Sequence, residues 1–291
     1  MEIEKKCAPS KQYKDGSCFS LDALQKIALE YNKQNTDTIE ITNNKEHLIK
    51  ILNNKFSNSC SDQVCWLRTK LVKQLDDDDI LNNTFRPSGP SKKYEWLSTT
   101  HINDVVEQYH KLYPHFLFLG AVPYDFEELD GLGLKTINYV KLEKEGKYKL
   151  GMVINLDEHD ENGSHWVALY VDLRANLIYF FDSVGKPPGK KIKKFINKIT
   201  QYLYEKKFNK KLKISKLLNE IKNKNKKLLL DVNFIDIKYN QIQHQFKNSE
   251  CGVYSMNFII RLLKGETFTE ITENITKDDE MNKCRETYFV N

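Results

Sequence analysis

Residues 164–183 read SHWVALYVDLRANLIYFFDS. Two runs rich in β-branched and aromatic residues flank DLRAN, a stretch of turn formers, which predicts an antiparallel hairpin. Paired positions in a hairpin share a constant index sum. With Asp172 opposite Ala175 across a two-residue loop, that sum is 347 and His165 falls opposite Asp182. The hairpin then brings an imidazole beside a carboxylate at the open ends of two strands. A carboxylate there fixes the tautomer of the ring and stabilises imidazolium, as a histidine general base needs. Taken alone, the pair reads equally well as a surface histidine and a strand-end aspartate.

The elements around the hairpin alternate. Residues 148–156 form a further strand-like run, and HFLFLGAVPYDF (115–126) is a strand followed by a turn. EWLSTTHINDVVEQYHKLYP (95–114) begins with a Ser/Thr cap and becomes a helix carrying Ile102, Val105, Val106 and Tyr109. After the hairpin, residues 189–227 are mostly helical and lysine-rich, and KLLLDVNFIDIKYN (227–240) is a strand pair or one bent strand. This order predicts an α+β fold, with a central mixed sheet flanked by helices.

The first part of the chain is helical in period. Leu21, Leu24, Ile27, Ala28 and Tyr31 share one face over 17–34, with Ser17 or Ser20 as cap. TNNKEHLIKILNNKFSN (42–58) is a second amphipathic helix, and 61–75 reads as a third. Residues 75–93 are acidic, then rich in Pro, Gly and Ser, and mark a boundary; the DDDD at 76–79 reads as a solvated linker. The chain therefore divides into a helical N-terminal arm, 1–88, and a second domain, 89–291.

QHQFKNSECGVYSMNFIIRLLK (243–264) poses a separate question. The run from Val253 to Leu263 is apolar nearly all round and predicts a buried helix ending at Gly265, with Asn248 or Ser249 as its cap. Cys251 falls in the first turn, where free N–H groups and the helix dipole favour an anion such as a thiolate. Gly252 lets a substrate backbone approach. First-turn amides and the side chain of Gln245 could together hold an oxyanion. A lone cysteine at a helix start is more simply a small packing residue. The ordered set of His165, Asp182, Gln245 and Cys251 is different, because it supplies base, orienter, oxyanion donor and nucleophile.

Composition bounds the rest. The 291 residues carry a net charge of +5 and are 40% hydrophobic, enough for a sizeable core. No apolar run is long enough to span a bilayer, and the N-terminus lacks a secretory signal, so neither membrane insertion nor secretion is expected. Six cysteines (7, 18, 60, 65, 251 and 284) at irregular spacing do not resemble a disulfide framework, and point to a reducing compartment. Cys7, Cys18, Cys60 and Cys65 have poor spacing for zinc and read as packing residues, Cys60 and Cys65 near Trp66. No metal and no cofactor is called for. Residues 186–227 hold sixteen lysines and two glutamates, a net +14 that leaves −9 for the remainder. An apolar period (Ile192, Phe195, Ile196, Ile199, Leu203) underlies those lysines, so the stretch reads as a solvated helix face. The alternative is a phosphate-contacting surface over Lys190–Lys227.

The motifs HW, FFDS and QHQFKNSECGVY resemble the His–Asp–Gln–Cys signature of the adenain-like and Ulp/SUMO-protease cysteine peptidases. EWLSTTHINDVVEQY resembles the Trp-Leu helix that opens their catalytic domain, and CAPSKQYKDGSCFSLDALQKIALEYN resembles the N-terminal arm of proteases of large nucleocytoplasmic DNA viruses such as African swine fever virus. The catalytic resemblance spans about residues 94–291. It implies a papain-like or adenain-like core, with His165 as base, Asp182 as orienter, Gln245 as oxyanion donor and Cys251 as nucleophile. It also implies substrate contacts at Trp96, Trp166 and Gly252, with Trp166 clamping a narrow Gly-Gly channel. The lysine-rich insertion at about 189–227 departs from the family pattern; adenovirus relatives use DNA as a cofactor. The implied function is cleavage of viral structural polyproteins after Gly-Gly-X-like motifs during virion maturation, in the host cytoplasm and the virion. The competing readings are a SUMO or ubiquitin-like isopeptidase, an acyltransferase with the same Cys–His machinery, and a lysine-rich nucleic-acid-binding protein with an inactive protease fold.

Overall fold

In the computed structural model, residues 15–60, 63–66, 69–75, 80, 87–223 and 234–289 are described. They belong to two compact units, residues 1–91 with 283–291, and residues 92–282. A linear division at 88/89 leaves the C-terminal stretch in the second domain. Cys7, the acidic run 76–79, the lysines at 224–227 and the strand expected over 228–233 lie outside the described residues.

In the first unit, helix α1 (Leu21–Gln34) starts where Ser20 accepts from the backbone N–H of Ala23, and α2 (Lys45–Phe56) where Asn44 accepts from that of His47. Their apolar faces meet: Leu24, Ile27, Leu48 and Leu52 are fully buried, with Trp66 beside them. In place of one helix over 61–75 there are two short ones, Gln63–Trp66 and Lys70–Lys73. The cysteine expectation is corrected here. The turn after α2 brings the Cα atoms of Cys60 and Cys65 to 5.4 Å, within disulfide range, and the two are bonded; Cys18 is disulfide-bonded as well. The free cysteines among the described residues are Cys251 and Cys284.

The second unit holds a five-stranded sheet: β1 (Phe116–Val122), β2 (Lys149–Asn155), β3 (Trp166–Asp172), β4 (Leu177–Phe181) and β5 (Asp236–Tyr239), neighbours in that order. The β1–β2 and β4–β5 pairs are parallel and the two central pairs antiparallel. Every residue of β3 is buried, and up to Asp172 at its end the sequence shows no polar alternation. Successive side chains still point to opposite faces. Leu150, Met152, Val167 and Leu169 pack in one cluster with Ile192, Phe195, Ile199 and Leu203 of the long helix Lys190–Phe208. On the other face lies the helix Cys251–Leu263, whose Phe258 stacks on Phe181 at 4.9 Å between ring centroids.

In chain order, the longer helices of this unit are α3 (Thr99–Val106), α4 (Lys190–Phe208), α5 (Ile214–Asn223) and α6 (Cys251–Leu263). Ser98 and His101 form a reciprocal capping box on α3. Tyr109 falls on a separate turn, Tyr109–Leu112, because hydrogen bonding tightens to three residues at His110. Helix α6 ends as expected at Gly265, whose φ of +96° is left-handed.

The hairpin register differs from expectation. Asp172 faces Leu177, not Ala175, and Ala168 faces Phe181, so the index sum is 349. The Asp172 carboxylate accepts from the backbone N–H groups of Arg174 and Ala175, and Asn176 is left-handed (φ 56°), which makes the loop four residues long. By that register His165 lies beyond the ladder, two positions from direct opposition to Asp182.

Candidate active site

His165 immediately precedes β3 and Asp182 immediately follows β4, and the two still meet. His165 Nε2 lies 2.7 Å from Asp182 Oδ1. The histidine side chain is 17% exposed and the aspartate 2%. Cys251 lies near enough to the ring to raise its titration midpoint. With Nε2 engaged by the carboxylate, Nδ1 is the nitrogen left for sulfur. Burial of the ring disfavours its charged form, but Asp182 and Cys251, with their negative charge, outweigh that, pushing His165 up to about 9. The imidazole thus holds a proton through neutral pH.

Asp182 is held from behind. Asn240 accepts from its backbone N–H at 2.9 Å and donates to its carbonyl at 2.6 Å, while Val184 N–H donates to Oδ1 at 2.9 Å. Asn240, 2% exposed, lies just past β5, and its side chain also donates to the carbonyl of Ile242. It thereby ties the strand end carrying Asp182 to the loop that leads toward Gln245. Sequence reasoning passed over this residue, which follows a short strand of mixed polarity that gives no signal for it.

Cys251 is buried and is the first residue of α6. Neither Asn248 nor Ser249 caps the helix. Glu250 occupies the cap position without a side-chain cap bond, because Ser249 Oγ donates instead to the fully buried Glu250 carboxylate at 2.8 Å. Asn282 Nδ2 donates to the same Glu250 oxygen at 2.9 Å.

Gln245 is 4% exposed and its amide is fixed at both ends. Oε1 accepts from Ser183 Oγ at 2.6 Å, and Nε2 donates to the carbonyl of Lys247 at 2.6 Å. The Ser183 carbonyl accepts from the backbone N–H groups of His244 and Gln245, both at 2.8 Å. One Nε2 hydrogen is spent on Lys247, and the amide has a second to offer.

Of the three residues expected to touch substrate, Trp96 and Trp166 line a groove of about 580 Å³ with Leu97, Pro123, Leu132 and Asp157. Trp96 is 45% exposed, whereas Trp166 is mostly buried and its indole N–H donates to the Leu97 carbonyl at 2.9 Å. At Gly252 a Cβ would meet Leu97 side-chain atoms at 3.1 Å, so the glycine lets α6 pack closely on Leu97.

The lysine-rich helix α4 is largely an ion-paired face. Lys191 bonds to Glu128 and Glu158, Lys194 and Lys198 to Glu127, and Lys206 to Glu143. Among the described residues, no group of three or more His, Cys, Asp or Glu is placed to hold a metal, and no helix is long and apolar enough to cross a membrane.

The model of the C-terminal catalytic domain of the Ulp1 protease family matches residues 150–291. Over 305 aligned residues, covering 98% of this chain and 93% of the relative, the chain is 37% identical to a thiol protease of Acanthamoeba polyphaga mimivirus. The chain belongs to the Ulp1 protease family. It is a cysteine-type peptidase of the viral, SUMO-protease-like branch. The SUMO-1 cysteine protease of African swine fever virus is 25% identical over 266 residues, 84% of this chain and 88% of that one. The crystal structure of the African swine fever virus protease shares the fold, with a TM-score of 0.52 at 22% identity over 88% of this chain and 92% of that one.

Proposed function

We propose that the chain is an endopeptidase that cleaves viral structural polyproteins after Gly-Gly-X-like motifs, with Cys251 as nucleophile, His165 as base, Asp182 as orienter and Gln245 as oxyanion donor. The observation that carries this is the buried imidazole bonded to the Asp182 carboxylate at 2.7 Å and raised by Cys251 at the start of a buried helix. In the resting pair the thiol proton sits on His165, and the sulfur attacks the carbonyl carbon of the scissile amide as a thiolate. Gln245 Nε2 and the Cys251 backbone N–H hold the resulting oxyanion. The imidazolium gives its proton to the leaving amine, and the C–N bond breaks to leave a thioester. Water, deprotonated by His165, then releases the acid and restores the thiol. Asp182 keeps the ring in one orientation throughout. Trp166, immobilised by the Leu97 carbonyl, forms a rigid wall beside the base, against which residues without side chains fit best.

Work of this kind takes place in the infected host cytoplasm and in the virion. The test is a digest of a candidate capsid polyprotein by wild type and by Cys251→Ala, with mass-spectrometric mapping of new termini. Wild type should generate termini after small-residue pairs and the variant none; equal cleavage by both overturns the assignment. The family description and the name of the African swine fever virus relative favour a second reading, a ubiquitin-like isopeptidase. Covalent capture by a SUMO or ubiquitin C-terminal thiol-reactive probe, without polyprotein cleavage, would select it.

A further inference from the structure

We infer that Ser183 is a positioning residue for the reaction: its hydroxyl, together with the Lys247 carbonyl, locks the Gln245 amide so that a nitrogen faces the developing oxyanion. The inference rests on the proposed role of Gln245 as oxyanion donor. A glutamine amide is nearly symmetric in shape and opposite in polarity at its two ends. In one orientation Gln245 offers an N–H to the oxyanion; rotated by 180° it offers a second oxygen, which would repel it. The fold must therefore choose: the Lys247 carbonyl, which can only accept, sets the orientation, and the Ser183 hydroxyl holds the amide there.

Ser183 Oγ donates to Oε1 at 2.6 Å, and Nε2 donates to the Lys247 carbonyl at 2.6 Å. A flipped amide would set Oε1 against that carbonyl, two acceptors with no proton between them. The chain leading to that carbonyl is held in turn. The backbone N–H groups of Phe246 and Lys247 both donate to Asp278 Oδ2, at 2.8 and 3.0 Å, which fixes the two peptide planes that precede it. Ser183 supplies the other anchor, and it is 1% exposed, so water is a poor substitute for its hydroxyl. Its carbonyl also accepts from His244 and Gln245 N–H, so Ser183 grips both the backbone and the side chain of Gln245. Ser183 follows Asp182 directly. One strand end thus orients the base through residue 182 and the oxyanion donor through residue 183, and the two halves of the site keep a common register.

The test is a double-mutant cycle between Ser183→Ala and Gln245→Ala, read on the peptide mapped in the polyprotein digest. Ser183→Ala should lower kcat roughly tenfold, the order of one buried hydrogen bond, with KM little changed. In the Gln245→Ala background the same substitution should do almost nothing further, because its effect passes through that amide. Alkylation of Cys251 by iodoacetamide, followed by mass spectrometry of its peptide, forms no oxyanion and should proceed at the wild-type rate in Ser183→Ala. Thermal melts run alongside. If Ser183→Ala does not fold, Ser183→Cys, which preserves volume with a weaker donor, takes its place in the cycle with a smaller loss of kcat expected. Multiplying effects in the cycle, slowed alkylation, or a wild-type kcat in a variant lacking the hydroxyl would each overturn the positioning role. A wild-type rate in Gln245→Ala would instead overturn the oxyanion role beneath it.

Discussion

Cys251→Ala should lower the pH at which His165 loses its proton. In the wild type that ring is pushed from the ordinary 6.5 up to about 9. At 1.36 kcal/mol per pH unit, this is on the order of 3 kcal/mol of preference for imidazolium over the neutral ring. Burial works against that preference, and Asp182 and Cys251 overcome it. An opposite charge in contact typically moves a pKa by about one to three pH units. Removing the sulfur leaves Asp182 alone against burial, so the midpoint should fall by about one to two pH units. The assay is NMR titration of the imidazole Cε1–H signals, with His165 identified by its loss in His165→Gln. Identical midpoints in wild type and Cys251→Ala, or a wild-type midpoint near 6.5, would show that sulfur and ring are not coupled. The same coupling sets the sign of the pH–rate profile. In the proposed mechanism the leaving amine takes a proton from the ring, which is available below about 9 and lost as pH rises through that value. The rate should therefore fall on the alkaline side. Asp182→Asn removes a partner that raises the midpoint, so its alkaline limb should lie at lower pH.

Three further outcomes follow from individual contacts. Gln245→Ala should fold and lose on the order of a hundredfold in kcat, the usual cost of one oxyanion donor; a loss confined to KM would contradict that role. Gly252→Ala forces a Cβ to 3.1 Å from Leu97. It should destabilise by about 1–3 kcal/mol in urea unfolding, and the cost of the same substitution should be smaller in a Leu97→Ala background, where Cγ and Cδ1 of Leu97 are gone and only its Cβ remains at 3.1 Å. Asp125 accepts from both the backbone and the ring of His159; burial alone would raise its carboxyl, but the His159 bonds hold it below 3.8. That contribution to stability is present above 3.8 and lost as pH falls through the lowered folded value. Wild type should lose more stability than Asp125→Asn on acidification from pH 5 to pH 3, and parallel curves for the two would refute the link.

Much of the site was readable because its chemistry is tied to strand and helix ends, which hydrophobic pattern locates well. The hairpin sum was wrong by two residues, yet His165 and Asp182 were still brought together. The error and the success have one cause. An antiparallel ladder sets where strands stop, and beyond the stops two side chains several ångströms long can meet without being opposite. The loop length itself was not readable, because it depends on Asp172 folding back onto two backbone N–H groups and on Asn176 going left-handed. The packing of Gly252 has the same character: only the fold shows that Leu97, 155 positions earlier in the chain, sits 3.1 Å from where its Cβ would be. Ser183, Asn240 and Asp278 were invisible for a further reason. Each acts by hydrogen-bonding a backbone group or an amide far away in sequence, and no spacing rule encodes such a partner. Groups that meet the substrate are constrained by reactivity, which limits them to a few residue types. Groups that hold those in place need only a donor or acceptor at the right point, which most polar residues supply. This second set is therefore found by geometry first, and Ser183 is the member whose removal separates a site that is merely assembled from one that is correctly oriented.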